Sequence, residues 1–274
     1  MNYSAIRAIS TNTFREAIKA KWLLIFALLF FLIPINIPIL FLLSVRYLPP
    51  NYLESYLSYL VYLSFPFLPL LALPIGASSV VEERESGALQ YLLSNPISKS
   101  EFLTGRILGL LAATSAVVIL GYSAAAILAY GLSASRYFAV AEVSAVAIFL
   151  NLVMVGLSLV ISVLSRRKAT ALGVALFAWF LFTTVSNIGF LSSVLALRFG
   201  PLVVLPLAML NPIEISAVLA GLLTHVSSDQ LGIAGFIIVD VLQDMAIPAI
   251  VGMLSAWAAI LFATCYLVFR HQDV

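Results

Sequence analysis

Six apolar stretches, at about 22–44, 57–80, 107–131, 143–165, 170–197 and 247–269, are each long enough to cross a bilayer, which takes about 20 residues of α-helix. A backbone inside hydrocarbon must satisfy its own N–H and C=O groups, so runs of this length predict helices. Composition agrees: 63% of the 274 residues are hydrophobic and 9% are charged, against roughly 25% charged in an ordinary soluble domain. The expected fold is an all-α integral membrane protein with six transmembrane helices, residues 1–274 forming one transmembrane domain.

Arg7, Arg15, Lys19 and Lys21 precede the first stretch, as they would in a signal peptide. Trp22–Ser44 is too long for a signal h-region and no small-residue cleavage pattern follows it, so it reads as a retained span. With the N-terminus cytoplasmic, eleven bases fall inside: Arg7, Arg15, Lys19, Lys21, Arg84, Lys99, Arg106, Arg166, Arg167, Lys168 and Arg270. Only Arg46, Arg136 and Arg198 fall outside, and the acidic residues divide six and six. The bias of the bases predicts a multi-pass cell-membrane protein with both termini in the cytoplasm.

Residues 4–20 place Ile6, Ile9, Thr13, Ala17 and Ile18 near one helical face and Arg7, Arg15 and Lys19 on another. This pattern predicts an elbow helix lying in the cytoplasmic interface of the lipid bilayer, its bases toward lipid phosphate, in competition with a merely basic, frayed tail. Pro34 and Pro38 in the first span, and Pro66, Pro69 and Pro74 in the second, predict kinks. Tyr47, Tyr52, Tyr56, Tyr59 and Tyr62 read as an aromatic belt at the outer end of this hairpin.

Between Phe199 and Ala246 the chain is apolar but interrupted. Pro201–Leu210 is too short to cross, and Asn211-Pro212-Ile213-Glu214 has the form of a helix start, with Asn211 as N-cap, Pro212 in the first turn and Glu214 at the third position. That helix should end near His225, and Ser227-Ser228-Asp229-Gln230 should open another. A pair of short outer helices that dip in without crossing is expected before the last span. A full span over 201–223 would bury Glu214 and upset the count of bases.

The connection from Ser79 to Arg106 is the longest on the cytoplasmic side. Two capping boxes, Ser79 with Glu82 and Ser98 with Glu101, and a stop at Pro96 predict a short, bounded helix. Val81, Ala88, Leu89, Leu92 and Leu93 can face the bundle or bilayer, with Glu82, Glu83 and Arg84 toward the cytosol. Such a helix can dock another protein and pass a push to both attached spans. The alternative is a solvated turn whose acids complement a helix dipole.

The run Glu83-Arg84-Glu85-x-Gly87-x-Leu89-x-x-Leu92-Leu93-x-x-Pro96-Ile97-x-Lys99, followed by Gly105-Arg106, resembles the signature loop of ABC-2 type transporter permeases. Ala88 and Gln90 stand where Thr and Glu are frequent in that family, and Arg106 where Lys is frequent. The resemblance implies that Glu82, Glu83, Arg84, Glu85, Gly87, Leu89, Leu92 and Leu93 form the coupling helix that sits in a cleft of the ATPase. It also implies a homodimer, or a pair of homologous permeases, served by two copies of an ABC ATPase subunit. Within the family, Ser162-Val163-Leu164-Ser165 and Leu210-Asn211-Pro212-Ile213-Glu214 look most like the permeases of nitrous oxide reductase maturation, with Glu214 and Ala217 in place of the usual Asp and later Arg.

Enzyme chemistry is not expected on this chain. No Gly is followed by Lys, which excludes a Walker A loop, so ATP and Mg belong to the partner ATPase and the chain itself carries no cofactor. His225 and His271 lie on opposite sides of the expected membrane and share no ligand spacing with Cys265, Asp or Glu, so no metal site is expected. Gly-x-Ser-x-Gly and His-Glu-x-x-His are both missing. No carboxylate near a span midplane points to proton or sodium coupling. Asn36, Asn151 and Asn187 are expected to bond across helices rather than bind substrate, and Gly105-x-x-x-Gly109 carries little weight in a chain this rich in small residues. Three functions stay open on this reading: an export permease driven by a separate ATPase, a mechanotransmitter for an extracytoplasmic metalloenzyme-maturation partner, and a stand-alone channel or anchor. None of them involves nucleic acid.

Overall fold

The computed structural model describes residues 2–44, 52–94, 97–130, 137–185, 201–226 and 231–272, and every regular element among them is helical. The helices are α1 (Tyr3–Lys19), α2 (Lys21–Ser44), α3 (Tyr52–Ser64), α4 (Leu68–Glu85), α5 (Ala88–Ser94) and α6 (Lys99–Tyr130). They continue as α7 (Tyr137–Leu164), α8 (Lys168–Phe180), α9 (Pro201–Met209), α10 (Pro212–Leu223), α11 (Gly232–Leu242) and α12 (Ala246–His271). Four continuous stretches are long and apolar enough to cross a membrane: Tyr56–Glu85, Lys99–Ile127, Tyr137–Leu164 and Gly232–His271. They correspond to the second, third, fourth and sixth expected spans, the third and fourth ending short of the expected 131 and 165. The first falls on α2, and the fifth on α8 and a π-helical turn, Leu181–Val185, with residues 186–197 outside the described residues.

α4 and α7 form the centre. Leu68 to Ala77 is buried without a break, and Gly76 lies so close to α7 that a Cβ there would overlap the Ser158 hydroxyl. Small residues matter at such crossings because lipid is as apolar as the side chains, which leaves close packing and interhelical hydrogen bonds to hold spans together. Asn151 on α7 supplies such bonds, its amide donating to Thr114 Oγ1 (2.8 Å) and Ser115 Oγ (3.2 Å) on α6. Asn36 is exposed, and Asn187 lies outside the described residues.

The second span is interrupted near Pro66 and Pro69, while Pro74 lies inside an unbroken α4. α3 passes into α4 through a 3-10 turn, Phe65–Phe67, with Pro66 in the turn and Pro69 in the first turn of α4. Trp179 of α8 donates its indole N–H to the Pro66 carbonyl at 2.7 Å, so the turn is tied to a neighbouring helix. Tyr56 is buried in the core while Tyr59 and Tyr62 are exposed, so only part of the expected belt faces outward. Tyr47 and the three outer bases Arg46, Arg136 and Arg198 lie outside the described residues, as does the Tyr52 side chain.

Three local expectations need correction. Ser79 does not cap a helix: α4 runs unbroken to Glu85, and the Ser79 hydroxyl donates back to the Gly76 carbonyl at 2.8 Å. The break comes instead at Gly87, whose φ of +76° is left-handed, so the short helix starts at Ala88. Before the last span there are three short helices rather than two, because Pro201–Met209 is itself helical. α10 ends as expected, with Val226 N–H donating to the Gly221 carbonyl (2.9 Å) across a left-handed His225.

Candidate functional site

The C-termini of α4, α7 and α12 and the N-termini of α6 and α8 meet at one end of the bundle, where most of the charge is collected. The last turn of a helix leaves carbonyls unpaired, and a guanidinium can satisfy several at once. Arg84 does this for α7, with Nη1 donating to the Val163 and Ser165 carbonyls, both at 3.1 Å, and Nη2 to Gln272 Oε1. Gln272 follows α12 directly, and its amide donates to the Val163 carbonyl at 2.9 Å. Lys99, at the start of α6, donates to the Gln272 carbonyl at 2.6 Å. The end of the last span is thus held to both flanks of the α4–α6 connection.

The acids of this segment share two partner residues, Lys168 and Arg106. Glu82 pairs with Lys168 Nζ at 2.7 Å, and Glu85 accepts the Lys168 backbone N–H at 3.0 Å, so α4 caps the N-terminus of α8. Glu83 turns inward to Arg106, and Arg106 also bonds Glu16 of α1 at 2.9 Å. The Arg106 guanidinium lies 5.5 Å from the Phe102 ring centre and is almost wholly buried. The expectation that Glu82, Glu83 and Arg84 all face open solvent therefore fails for Glu83 and Arg84, which are half-buried in internal pairs. Glu82, Glu85, Gly87, Ala88 and Gln90 are exposed; Ala88 had been expected to face the bundle, as Leu89 does. Leu92 and Leu93 are helical, with side chains outside the described residues.

Ser98 and Glu101 form the expected capping box: Glu101 N–H donates to Ser98 Oγ (3.2 Å) and Ser98 N–H to Glu101 Oε2 (3.0 Å). The second Glu101 oxygen accepts from the backbone N–H of Asn2, whose own side chain caps α1 at Ser4 and Ala5. α1 buries Ile6, Thr13 and Ala17, as its pattern predicts, while Ile18, Arg7, Arg15 and Lys19 are exposed. Gly105 and Gly109 are the floor on which α1 rests. A Cβ at Gly105 would stand 2.7 Å from Ile9, and one at Gly109 would stand 2.6 Å from the Ser10 carbonyl. The spacing discounted as chance in the sequence is the α1–α6 contact.

At the other end, Asn211 caps α10 as expected, accepting from Ile213 N–H (3.0 Å) and Glu214 N–H (3.4 Å), with Pro212 next. Its amide donates to the Phe182 carbonyl in the π-helical turn at 2.8 Å, a contact that nothing in the local pattern announces. Burial raises the Glu214 carboxyl above its usual range. No three His, Cys, Asp or Glu side chains gather as metal ligands among the described residues.

Residues 7–274 match the family described as ABC-2 family transporter protein. "Probable ABC transporter permease protein NosY" of Stutzerimonas stutzeri is 25% identical over 273 residues, covering 96% of this chain and 97% of its own length. The protein of the same name from Pseudomonas aeruginosa is 26% identical over 276 residues, covering 97% and 98%.

Proposed function

The chain belongs to the ABC-2 transporter family and is the membrane subunit of an ABC transporter, and from that premise we propose that an ATPase subunit docks on α5 and the adjoining end of α4. Six helices cross the bilayer, with both termini and the charged end in the cytoplasm and α1 in the interface. Two copies of the chain form the translocation path, each engaging one ATPase, which carries the ATP and Mg. Closure of the ATPase pair pushes α5, and the path rearranges toward export of a substrate whose chemistry this chain does not disclose. The observation that carries this reading is the placement of α5. This seven-residue helix presents Ala88 and Gln90 outward, and the helices on either side of it are bonded through Arg84, Lys99 and Arg106 to α7, α12 and α1.

The test is co-purification of the co-expressed ATPase with an Ala88→Trp/Gln90→Arg permease. We expect loss of the ATPase from a permease that is inserted and melts like wild type. Undiminished recovery would remove docking from α5. Glu83 is the wrong residue for this purpose, because reversing its charge would break the internal pair with Arg106.

A second reading keeps the docking and changes the output: the outer helices push an extracytoplasmic partner that matures a metalloenzyme. It is favoured by the Leu210–Glu214 motif and by similarity along nearly the whole chain to permeases named NosY. Cross-linking from α10 to a co-expressed extracytoplasmic protein, changing with ATP, would separate it from cargo export.

A further inference from the structure

A cavity of about 580 Å³ opens between the end of α1, the start of α2, α4 and α6. Its inner wall is apolar, with Ile75 and Leu110, and Trp22 stands half-exposed at the rim. Its charged groups do not balance. Four bases face three acids, a net charge of +1; Arg106 pairs with both Glu16 and Glu83 and Lys168 with Glu82, while Lys19 and Lys21 have no ion-pair partner among the described residues. Thr13 also borders the cavity; its hydroxyl is buried and has no hydrogen-bond partner among the described residues, although a helical Thr ordinarily donates to a carbonyl one turn back.

We propose that this cavity binds the headgroup of an anionic phospholipid. Lys19 and Lys21 hold the phosphate, Thr13 donates to a deeper ester oxygen, and the glycerol and first acyl carbons lie along Ile75 and Leu110 beside Trp22. A buried hydroxyl without a partner is costly and a ligand acceptor removes that cost. Two cations beside an apolar wall match a molecule that is anionic at one end and apolar next to it, which free phosphate is not. The occupant would bridge α1 to α4 across the joint at Ala20 that leads into α2. The site rests on α1 lying in the interface but not on where the ATPase docks, so each can fail without the other.

The experiment is native mass spectrometry of the full-length permease in detergent supplied with equal phosphatidylglycerol and phosphatidylcholine, and separately with inorganic phosphate. Wild type should retain one phosphatidylglycerol in preference to phosphatidylcholine. Lys19→Gln/Lys21→Gln should lower that occupancy roughly tenfold or more. Ser79→Phe, which fills the cavity without altering charge, should do the same. Arg166→Gln/Arg167→Gln, which removes two exposed bases at the same end of the bundle, should leave retention unchanged. Equal retention of the two lipids, equal loss in the Arg166/Arg167 variant, undiminished retention in the lysine variant, or displacement of lipid by millimolar phosphate would each overturn the site. If Ser79→Phe fails to fold, the lysine variant alone decides.

Discussion

The buried Arg106 makes a quantitative prediction, because its two carboxylate partners differ in exposure. The Glu83 side chain is 16% exposed and that of Glu16 52%, while Arg106 itself is 5% exposed. Removing the cation from a buried pair strands the remaining charge at a cost of about 3–5 kcal/mol, whereas a solvent-screened pair is worth less than about 1 kcal/mol. Arg106→Met alone should therefore lower Tm in detergent by roughly 10 °C, taking about 2–4 °C per kcal/mol for a chain of this size. In the double variant Arg106→Met/Glu83→Gln, removing the stranded carboxylate should restore about half of that loss, a coupling of about 1–3 kcal/mol. Pairing Arg106→Met with Glu16→Gln should restore little. Thermal melts of the four proteins of each cycle read both couplings. Costs that add to within about 0.5 kcal/mol for Arg106 and Glu83 would show that the two do not form a buried pair, and the inward placement of Glu83 would be wrong.

Gly87→Ala should destabilise by about 1–2 kcal/mol through the backbone alone, since φ is +76° and a Cβ there meets nothing within 4 Å; melts check the size, and an unchanged Tm would mean that the α4–α5 break is not left-handed. Glu214→Gln should stabilise at pH 7–8. Burial raises this carboxyl, so the folded state binds the proton more tightly than the unfolded chain and the wild type loses stability as pH rises. The gain should shrink as pH falls toward about 4.3, and melts at several pH values would detect a pH-independent gain that contradicts this origin.

The second, third, fourth and sixth spans were legible because hydrocarbon thickness and backbone hydrogen bonding leave a chain this apolar few choices. The caps at Ser98 and Asn211 were legible for a similar reason: each is closed by residues two or three positions away. Ser79 carried the same local signature and failed: α4 runs through it unbroken and is held against α7, where Val80 and Val81 N–H both donate to Ser162 Oγ (3.0 Å each). Gly105 and Gly109 failed in the opposite direction. Their spacing had no visible partner in sequence, since the helix resting on them lies about a hundred residues upstream. The inward turn of Glu83 likewise depends on Arg106, 23 positions away, and on the packing that brings α4 against α6. A charge run states its composition; only tertiary contact states which members are already taken.

That distinction alters how a push at α5 can travel. If all the acids of the connection faced an ATPase, force would enter through α4 and α6 and reach other spans only by way of the bilayer core. With Arg84 closing the end of α7 and holding Gln272, Glu85 capping α8, Lys99 gripping the end of α12 and Arg106 joined to α1, the charged end behaves as one plate with α5 hinged to it at Gly87. Ionic contacts among helix ends resist sliding, whereas the 3-10 turn at Pro66 and the π-helical turn at Leu181–Val185 lie farther along their helices, where the ladder of backbone bonds is already interrupted. Under the proposed docking, motion imposed on this end would be released at those two interruptions. Asn211 bonds the π-helical turn and Trp179 bonds the Pro66 turn, so under the proposed docking a displacement at the charged end would emerge at α10.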